Sequence, residues 1–89
     1  IDISGRSYLN YDVAIPCEKV GEFDCELVKE FMLAFVRKAE LTLHIKMLDG
    51  ENAHHIIEGI FKSLARSLSA ACEIDDKYKN EIPSTKGVI

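Results

Sequence analysis

The chain has no tryptophan, only two prolines among its 89 residues, and fewer basic than acidic side chains. At a net charge of −4 it lacks the excess of Lys and Arg that a general nucleic-acid or membrane-binding surface needs. Also missing are an apolar run of roughly 20 residues, the length of a transmembrane helix, and a basic-then-apolar leader. We therefore expect a cytoplasmic protein that binds neither nucleic acid nor membranes.

Cysteine is scarce as well. Cys17, Cys25 and Cys72 are odd in number and show no C-x-x-C spacing. A small secreted domain would use an even set of cysteines for disulfides, and a cysteine-based zinc site would use closely spaced pairs. We expect all three thiols to be reduced, partly buried and inert.

What the chain does contain, 47% hydrophobic and 29% charged residues, is typical of one small globular domain. At this length the core is small and the stability margin is thin. The sequence opens at Ile1 within a strand-like run and without an initiator Met. We expect residues 1–89 to be a single unit and a fragment or processed piece of a longer protein.

Strand-like residues 1–4 and 8–15 flank a turn at Gly5, which predicts an antiparallel hairpin. Alternation within the second segment defines a candidate buried face. That face consists of Tyr11, Val13 and Ile15.

Two helices and a third strand are predicted after the hairpin. The first helix runs from Asp24, its expected N-cap, to Ala39; a strand covers residues 41–48; and a second helix runs from the N-cap Asn52 to about Cys72. Their expected apolar stripes are Leu27, Phe31, Ala34 and Phe35 on the first helix, and Ile57, Phe61, Leu64 and Leu68 on the second. The order β-β-α-β-α predicts a two-layer α/β unit, with a small mixed sheet and both helices packed on one face.

The string His54-His55-x-x-Glu58 is the strongest candidate for a functional site. Adjacent side chains on a helix diverge by about 100°, so the histidines are better placed to serve two metal sites than one. Glu58 lies one turn from both and offers a hard oxygen ligand. Taken alone, the string is more often a pair of surface histidines before a helix-stabilising glutamate. It also lacks the H-E-x-x-H spacing of zinc proteases.

Cationic residues accompany this string. Lys62 lies one turn beyond Glu58, and Arg6 and Lys86 each stand beside a glycine in turn-like segments. Together with the Ser84 hydroxyl they predict a phosphate clamp, although each lysine taken singly is typical of a solvated surface. Residues 75–89 are predicted to be a C-terminal loop that carries the P-S-T-K-G motif.

Six segments, in order and at compatible spacing, resemble the imidazoleglycerol-phosphate dehydratase family. They are Asp2-Ile3-Ser4-Gly5-Arg6, Val20-Gly21-Glu22-Phe23-Asp24, Leu41-Thr42-Leu43-His44-Ile45, Asn52-Ala53-His54-His55-Ile56-Ile57-Glu58, Phe61-Lys62 and Pro83-Ser84-Thr85-Lys86-Gly87. The resemblance extends over the whole chain and corresponds to the C-terminal half of the family's usual sequence. It implies one half of a duplicated dehydratase fold.

The resemblance also implies an activity and an assembly. Members of the family are lyases of histidine biosynthesis that remove water from imidazole glycerol phosphate to give imidazole acetol phosphate. Two halves sandwich their helices between sheets, and twenty-four subunits form a shell. Two manganese ions bind where halves and neighbouring subunits meet, and the N-terminal half supplies a D-H-H-x-x-E-D counterpart of the motif found here.

Carried over residue by residue, the resemblance implies three sets of site residues. The metal ligands are His54, His55, Glu58 and Glu30; the catalytic residues are Glu58 and His55; and the residues that hold the substrate phosphate are Arg6, Lys62, Ser84 and Lys86. Glu30 replaces a histidine found in many members. His44 is expected to be a packed strand residue outside the site.

Two other functions remain open. The chain could be a half-domain that folds or self-associates without activity, because half of the ligands are absent. A hydrolase that uses the same two metals would need a metal-bound water at a scissile bond.

Overall fold

The computed structural model describes residues 1–73. Its elements are strands β1 (Tyr8–Asp12), β2 (Lys19–Val20) and β3 (Phe23–Asp24), helix α1 (Glu26–Ala39), strand β4 (Thr42–Lys46) and helix α2 (Ala53–Ala71). The predicted loop at 75–89 lies outside the described residues. Neither helix in the described part is long and apolar enough to cross a membrane.

β1 and β4 form a parallel pair with two chemically different faces. On one face Leu9 lies beside Leu43 in register, and Tyr11 lies beside Ile45. These side chains pack against the hydrophobic core together with Val13 and Ile15, so the predicted alternating face is confirmed. On the other face the register pairs are Tyr8 with Thr42, Asn10 with His44, and Asp12 with Lys46.

The hairpin predicted between residues 1–4 and 8–15 is wrong, because β4 lies between the two segments. Thr42 exchanges two backbone hydrogen bonds of 2.9 Å with Asp2 in an antiparallel bridge. On its other side, Thr42 is in register with Tyr8 of β1. The local turn signal indicates that the chain reverses, but it does not reveal that a strand more than thirty residues later is inserted.

Helix α1 ends at Ala39 as predicted but begins two residues after the expected cap. The N-cap position is Cys25, which makes no side-chain capping bond. Asp24 still contributes, because its Oδ1 accepts a hydrogen bond of 3.0 Å from the backbone N–H of Glu26. At the other end Glu40 adopts a left-handed conformation, and its N–H donates to the carbonyl of Val36.

Helix α2 begins and ends as predicted. Asn52 is the N-cap, and its Oδ1 accepts a hydrogen bond of 3.0 Å from the backbone N–H of His55. Cys72 is the C-cap. The connection from β4 includes Gly50 at a φ of 147°, where an added Cβ would lie 2.8 Å from Cγ1 of Ile56. The close approach to this buried side chain requires glycine at position 50.

The predicted apolar stripes coincide only in part with the buried side of the helices. Phe35, Ile57 and Leu64 are partly buried and pack against the core. The core consists of Val28, Met32, Val36, Leu41, Leu43, Ile56 and Ile60. Leu27 and Phe31 are instead 52% and 48% exposed. On each helix, the apolar residues occupy a wider arc than the sheet can cover. Phe31 of α1 and Phe61 of α2 lie where the two helices meet. There the rings of Phe31 and Phe61 are 5.3 Å apart.

We call Leu27, Phe31 and Phe61 the outer helix face. All three remain at least 36% exposed in the described structure. Contiguous exposed apolar side chains of this size mark an interaction surface more often than isolated exposed residues do. Within residues 1–73, the helices are therefore covered on the side that faces the sheet and exposed on the opposite side.

Candidate metal and phosphate site

His54 and His55 lie in the first turn of α2, where the Asn52 cap fixes the start of the helix. Both side chains are exposed. Their ring centroids are 5.8 Å apart and the ring planes are inclined by 58°. The two rings are thus close to each other, although successive positions on a helix lie about 100° apart around its axis.

A groove of about 500 Å³ between β4 and α2 distinguishes the two histidines. His55 contributes to its lining, whereas His54 does not. Lys46 and Ser63 also line this groove, and sequence reasoning did not select them. The signal for Ser63 was its spacing of eight residues from His55, which keeps both on one side of the helix.

His44 lies on β4 at the edge of the same groove, with its ring 5.6 Å from that of Tyr8. It belongs to the strand, as predicted, but its side chain is exposed. Its aromatic contact is with β1, while the His54–His55 pair belongs to α2.

Glu58 and Lys62 form the one ion pair found among residues 1–73. The distance from Glu58 Oε1 to Lys62 Nζ is 3.6 Å, and the side chains are 50% and 69% exposed. An exposed pair at i and i+4 is worth at most about 0.5 kcal/mol. Lys62 can therefore exchange this partner for another anion at little cost.

Residues 1–73 contain no group of three His, Cys, Asp or Glu side chains close enough to hold one metal ion. Glu30 is exposed on α1 and does not form such a group with the α2 motif. The imidazole and carboxylate donors suit a manganese ion chemically. The described residues of one copy therefore supply separate ligands, and the remainder of any coordination sphere must come from elsewhere.

Arg6 is anchored far from the histidines. Its backbone carbonyl accepts hydrogen bonds from Ser4 Oγ at 3.1 Å and Thr42 Oγ1 at 3.3 Å, which places Arg6 at the start of β4. His54 follows the other end of β4, and that strand spans about 13 Å. Ser84 and Lys86 lie outside the described residues. Of the two expected phosphate ligands among residues 1–73, Lys62 is on the same helix as the metal motif and Arg6 is not.

Comparison with known proteins identifies the family. The family model for imidazoleglycerol-phosphate dehydratase matches residues 1–68. A dehydratase of this name from a Synechococcus species is 53% identical over all 89 residues, and one from Thermosynechococcus vestitus is 51% identical over the same length. The chain covers 44% and 42% of these two relatives. It thus spans less than half of their length.

Solved structures give the same result for the fold. The dehydratase from Staphylococcus aureus superimposes with a TM-score of 0.77 at 53% identity, over 79% of this chain and 41% of the other. The enzyme from Pyrococcus furiosus gives 0.79 at 43% identity, over 99% and 47%. The predicted α/β half-domain and the resemblance on which it rested are both confirmed. The chain belongs to the imidazoleglycerol-phosphate dehydratase family.

Proposed function

We propose that this chain provides one half of a dehydratase that converts imidazole glycerol phosphate to imidazole acetol phosphate in histidine biosynthesis. The observation that carries the proposal is the family match over residues 1–68, with His54, His55 and Glu58 exposed at the start of α2. Because the chain covers 44% of a full-length relative, the complete activity requires the other half.

For the metal site, we propose that His54 and His55 bind different manganese ions and that Glu58 completes one coordination sphere. The groove is lined by His55 and not by His54, and residues 1–73 contain no three-ligand group. Both observations support ligands shared with another half or copy. Glu30 is proposed as a further ligand on α1. Manganese bound there would polarise the imidazole ring of the substrate and assist departure of the neighbouring hydroxyl.

The chain's own side chains have two further proposed roles. Glu58, as a general acid or base beside His55, moves a proton at the reacting carbon, a step that metals alone do not supply. Lys62, Arg6, Ser84 and Lys86 hold the substrate phosphate. The weak, exposed pair between Lys62 and Glu58 supports this role, because Lys62 can turn to a phosphate. Since Arg6 and the histidines lie at opposite ends of β4, a complete site would draw on more than one copy of a homo-oligomeric shell.

The metal assignment is tested by manganese binding in a protein that contains both halves. His54→Ala and His55→Ala should each weaken Mn²⁺ affinity by at least about tenfold, as loss of a ligand does for other metal sites. Glu58→Ala should weaken it too. His44→Ala is the matched control, because His44 packs against Tyr8, and its affinity should be unchanged. Calorimetry that gives wild-type affinity for all three motif variants contradicts the assignment.

The phosphate assignment is tested separately with Lys62→Met in the same protein. The substrate KM should rise by about tenfold or more, the cost of losing one charge-assisted contact, while Mn²⁺ content stays constant. Lys86→Ala should behave in the same way. Lys38→Met, at the end of α1, is the control for removal of an exposed lysine charge. A normal KM in Lys62→Met removes this residue from the clamp.

A second function is favoured by the outer helix face. The chain by itself would be an inactive half-domain that self-associates through these exposed residues, with no complete metal site. The experiment compares dehydratase activity of the 89-residue chain alone and after addition of a separately produced N-terminal half. Activity only in the mixture supports the half-enzyme. No activity in the mixture, despite binding of the two parts, supports the inactive half-domain.

A further inference from the structure

Cys17 lies two residues before strand β2, and Cys25 directly follows strand β3, with which β2 forms a short antiparallel ladder. In this ladder Lys19 is in register with Asp24. One step further out, the backbone N–H of Cys25 donates a hydrogen bond of 2.8 Å to the carbonyl of Glu18. The main chain next to Cys17 is thus held against the main chain of Cys25.

The two cysteines are neighbours in this arrangement. Glu18 is the backbone partner of Cys25, and Cys17 directly precedes Glu18 in the chain. The Cys17 thiol donates to the carbonyl of Lys19 at 3.1 Å. Both cysteines line one cavity of about 560 Å³, and Tyr11 lines it too. Residues 16–18 form a bend before β2, and the two cysteines are not directly opposite in the ladder.

The two cysteines differ in accessibility. Cys17 is exposed, whereas Cys25 is only 6% exposed. Burial, followed by the proximity of Cys17 and of the Asp24 carboxylate, raises the pKa of the Cys25 thiol. A small solute therefore reaches Cys17 first, and Cys25 is the partner that follows.

We propose that Cys17 and Cys25 form a dithiol site that reacts with low-molecular-weight disulfides. The sulfur of Cys17 attacks one sulfur of the disulfide, forming a mixed disulfide and releasing one thiol. The sulfur of Cys25 then attacks the Cys17 sulfur, forming an intramolecular disulfide and releasing the second thiol. Two cysteine thiols and one disulfide become one protein disulfide and two small thiols, which carry the two protons.

This site is independent of the proposed dehydratase chemistry. Neither cysteine belongs to the metal or phosphate sets, and Cys25 occupies the N-cap position of α1. Closing the bond would tie that helix start to the segment after β1. The expected consequence is a higher melting temperature for the oxidised chain, by about 5–10 °C.

The test equilibrates the 89-residue chain with 2-hydroxyethyl disulfide and 2-mercaptoethanol at a series of ratios. After acid quenching, tryptic peptides 7–19 and 20–29 should be recovered as a disulfide-linked pair that a dithiol reductant separates. In the folded state the equilibrium constant for this bond should be at least about tenfold larger than in concentrated urea, because folding brings the sulfurs together. A ratio of one or less overturns the proposal.

Single substitutions test the order of attack and the specificity. Cys25→Ser should stop at a mixed disulfide on Cys17, and Cys72→Ser should form the linked pair as the wild type does. Cys17→Ser should leave the buried Cys25 unmodified. Linkage through Cys72, or modification of Cys25 in Cys17→Ser at the wild-type rate, contradicts the assignment. Since the equilibrium comparison uses the unsubstituted chain, a variant that fails to fold does not remove the test.

Discussion

The hydroxyl oxygen of Tyr11 is buried and has no hydrogen-bond partner. It is the one such side-chain polar atom among residues 1–73. A polar group that loses its hydrogen bonds to water on folding and gains no new partner lowers the free energy of unfolding by about 1–3 kcal/mol. We expect Tyr11→Phe to be neutral or stabilising at neutral pH, by up to about 1 kcal/mol. The exposed Tyr8→Phe should change the free energy of unfolding by less than about 0.5 kcal/mol. Urea unfolding measures both, and a loss above 1 kcal/mol in Tyr11→Phe contradicts this account.

The same residue predicts a pH dependence. Burial, with a smaller effect of Cys25, raises the pKa of Tyr11 above the usual value of 10.0. A raised pKa favours the neutral phenol in the folded state. Its contribution to stability is therefore complete below about pH 10 and is lost as the pH rises through the folded-state pKa. Above pH 10 the wild type should lose stability more steeply than Tyr11→Phe. Parallel curves in urea unfolding across pH 8–11 would show that Tyr11 is not responsible.

Two glycines should respond to alanine with opposite signs. At Gly50 the φ of 147° and the 2.8 Å approach to Ile56 predict a loss of about 2–3 kcal/mol in Gly50→Ala. At Gly59, within α2, an added Cβ has no heavy atom within 4 Å. Gly59→Ala should therefore stabilise by up to about 1 kcal/mol through helix propensity. Equal effects in chemical denaturation would contradict this explanation.

At the residue scale, the correct sequence predictions depended on local spacing. The Asn52 cap follows from positions within one helical turn, which the sequence displays directly. The proximity of Cys17 to Cys25 depends instead on a ladder of two residues per strand. Ladders that short carry almost no periodic signal, so the cysteines were expected to be unrelated and inert.

At the scale of elements, the helices illustrate how far periodicity extends. Their ends were predicted within two residues at Ala39 and Ala71 because caps and turns are local. The buried side of each helix was predicted only in part, because each helix carries two adjacent apolar stripes and the sequence does not show which one packs on the sheet. The inserted position of β4 was missed for a related reason: strand order is decided by long-range pairing.

Helix α1 allows the two stripes to be compared directly. Met32 is fully buried at 0% exposure, whereas Leu27 is 52% exposed. Met32→Ala should lower the free energy of unfolding by about 2–4 kcal/mol through lost contacts and a cavity. Leu27→Ala should cost less than about 1 kcal/mol in the isolated chain. Thermal melts followed by circular dichroism at low concentration measure the difference. Similar losses of stability in the two variants would show that Leu27 contributes to the core as Met32 does.

At the scale of the whole molecule, the part of the chain that the structure describes buries one face of its helices and leaves the other exposed. The sheet face is filled by Val28, Met32 and Ile56. The outer helix face has nothing over it within residues 1–73, although it contains two phenylalanines. A family member of which this chain covers 44% has more chain with which to cover such a surface. The site shows the same pattern, since Arg6 and His54 lie at opposite ends of β4.

This incompleteness predicts that the isolated 89-residue chain self-associates with increasing concentration. Phe31 lies at the centre of the outer helix face, in contact with Phe61, so Phe31→Gln should shift the association to at least about tenfold higher concentration. Lys38→Gln, on the last turn of α1, is the matched control and should associate as the wild type does. Because Phe31 is 48% exposed, the substitution should leave the helical content of the monomer unchanged. Sedimentation equilibrium that shows the same association for both variants would place the contact elsewhere on the molecule.

Addition of the N-terminal half should dissociate the self-associated form if that half covers the outer helix face. Failure to dissociate it would show that the N-terminal half binds a different surface.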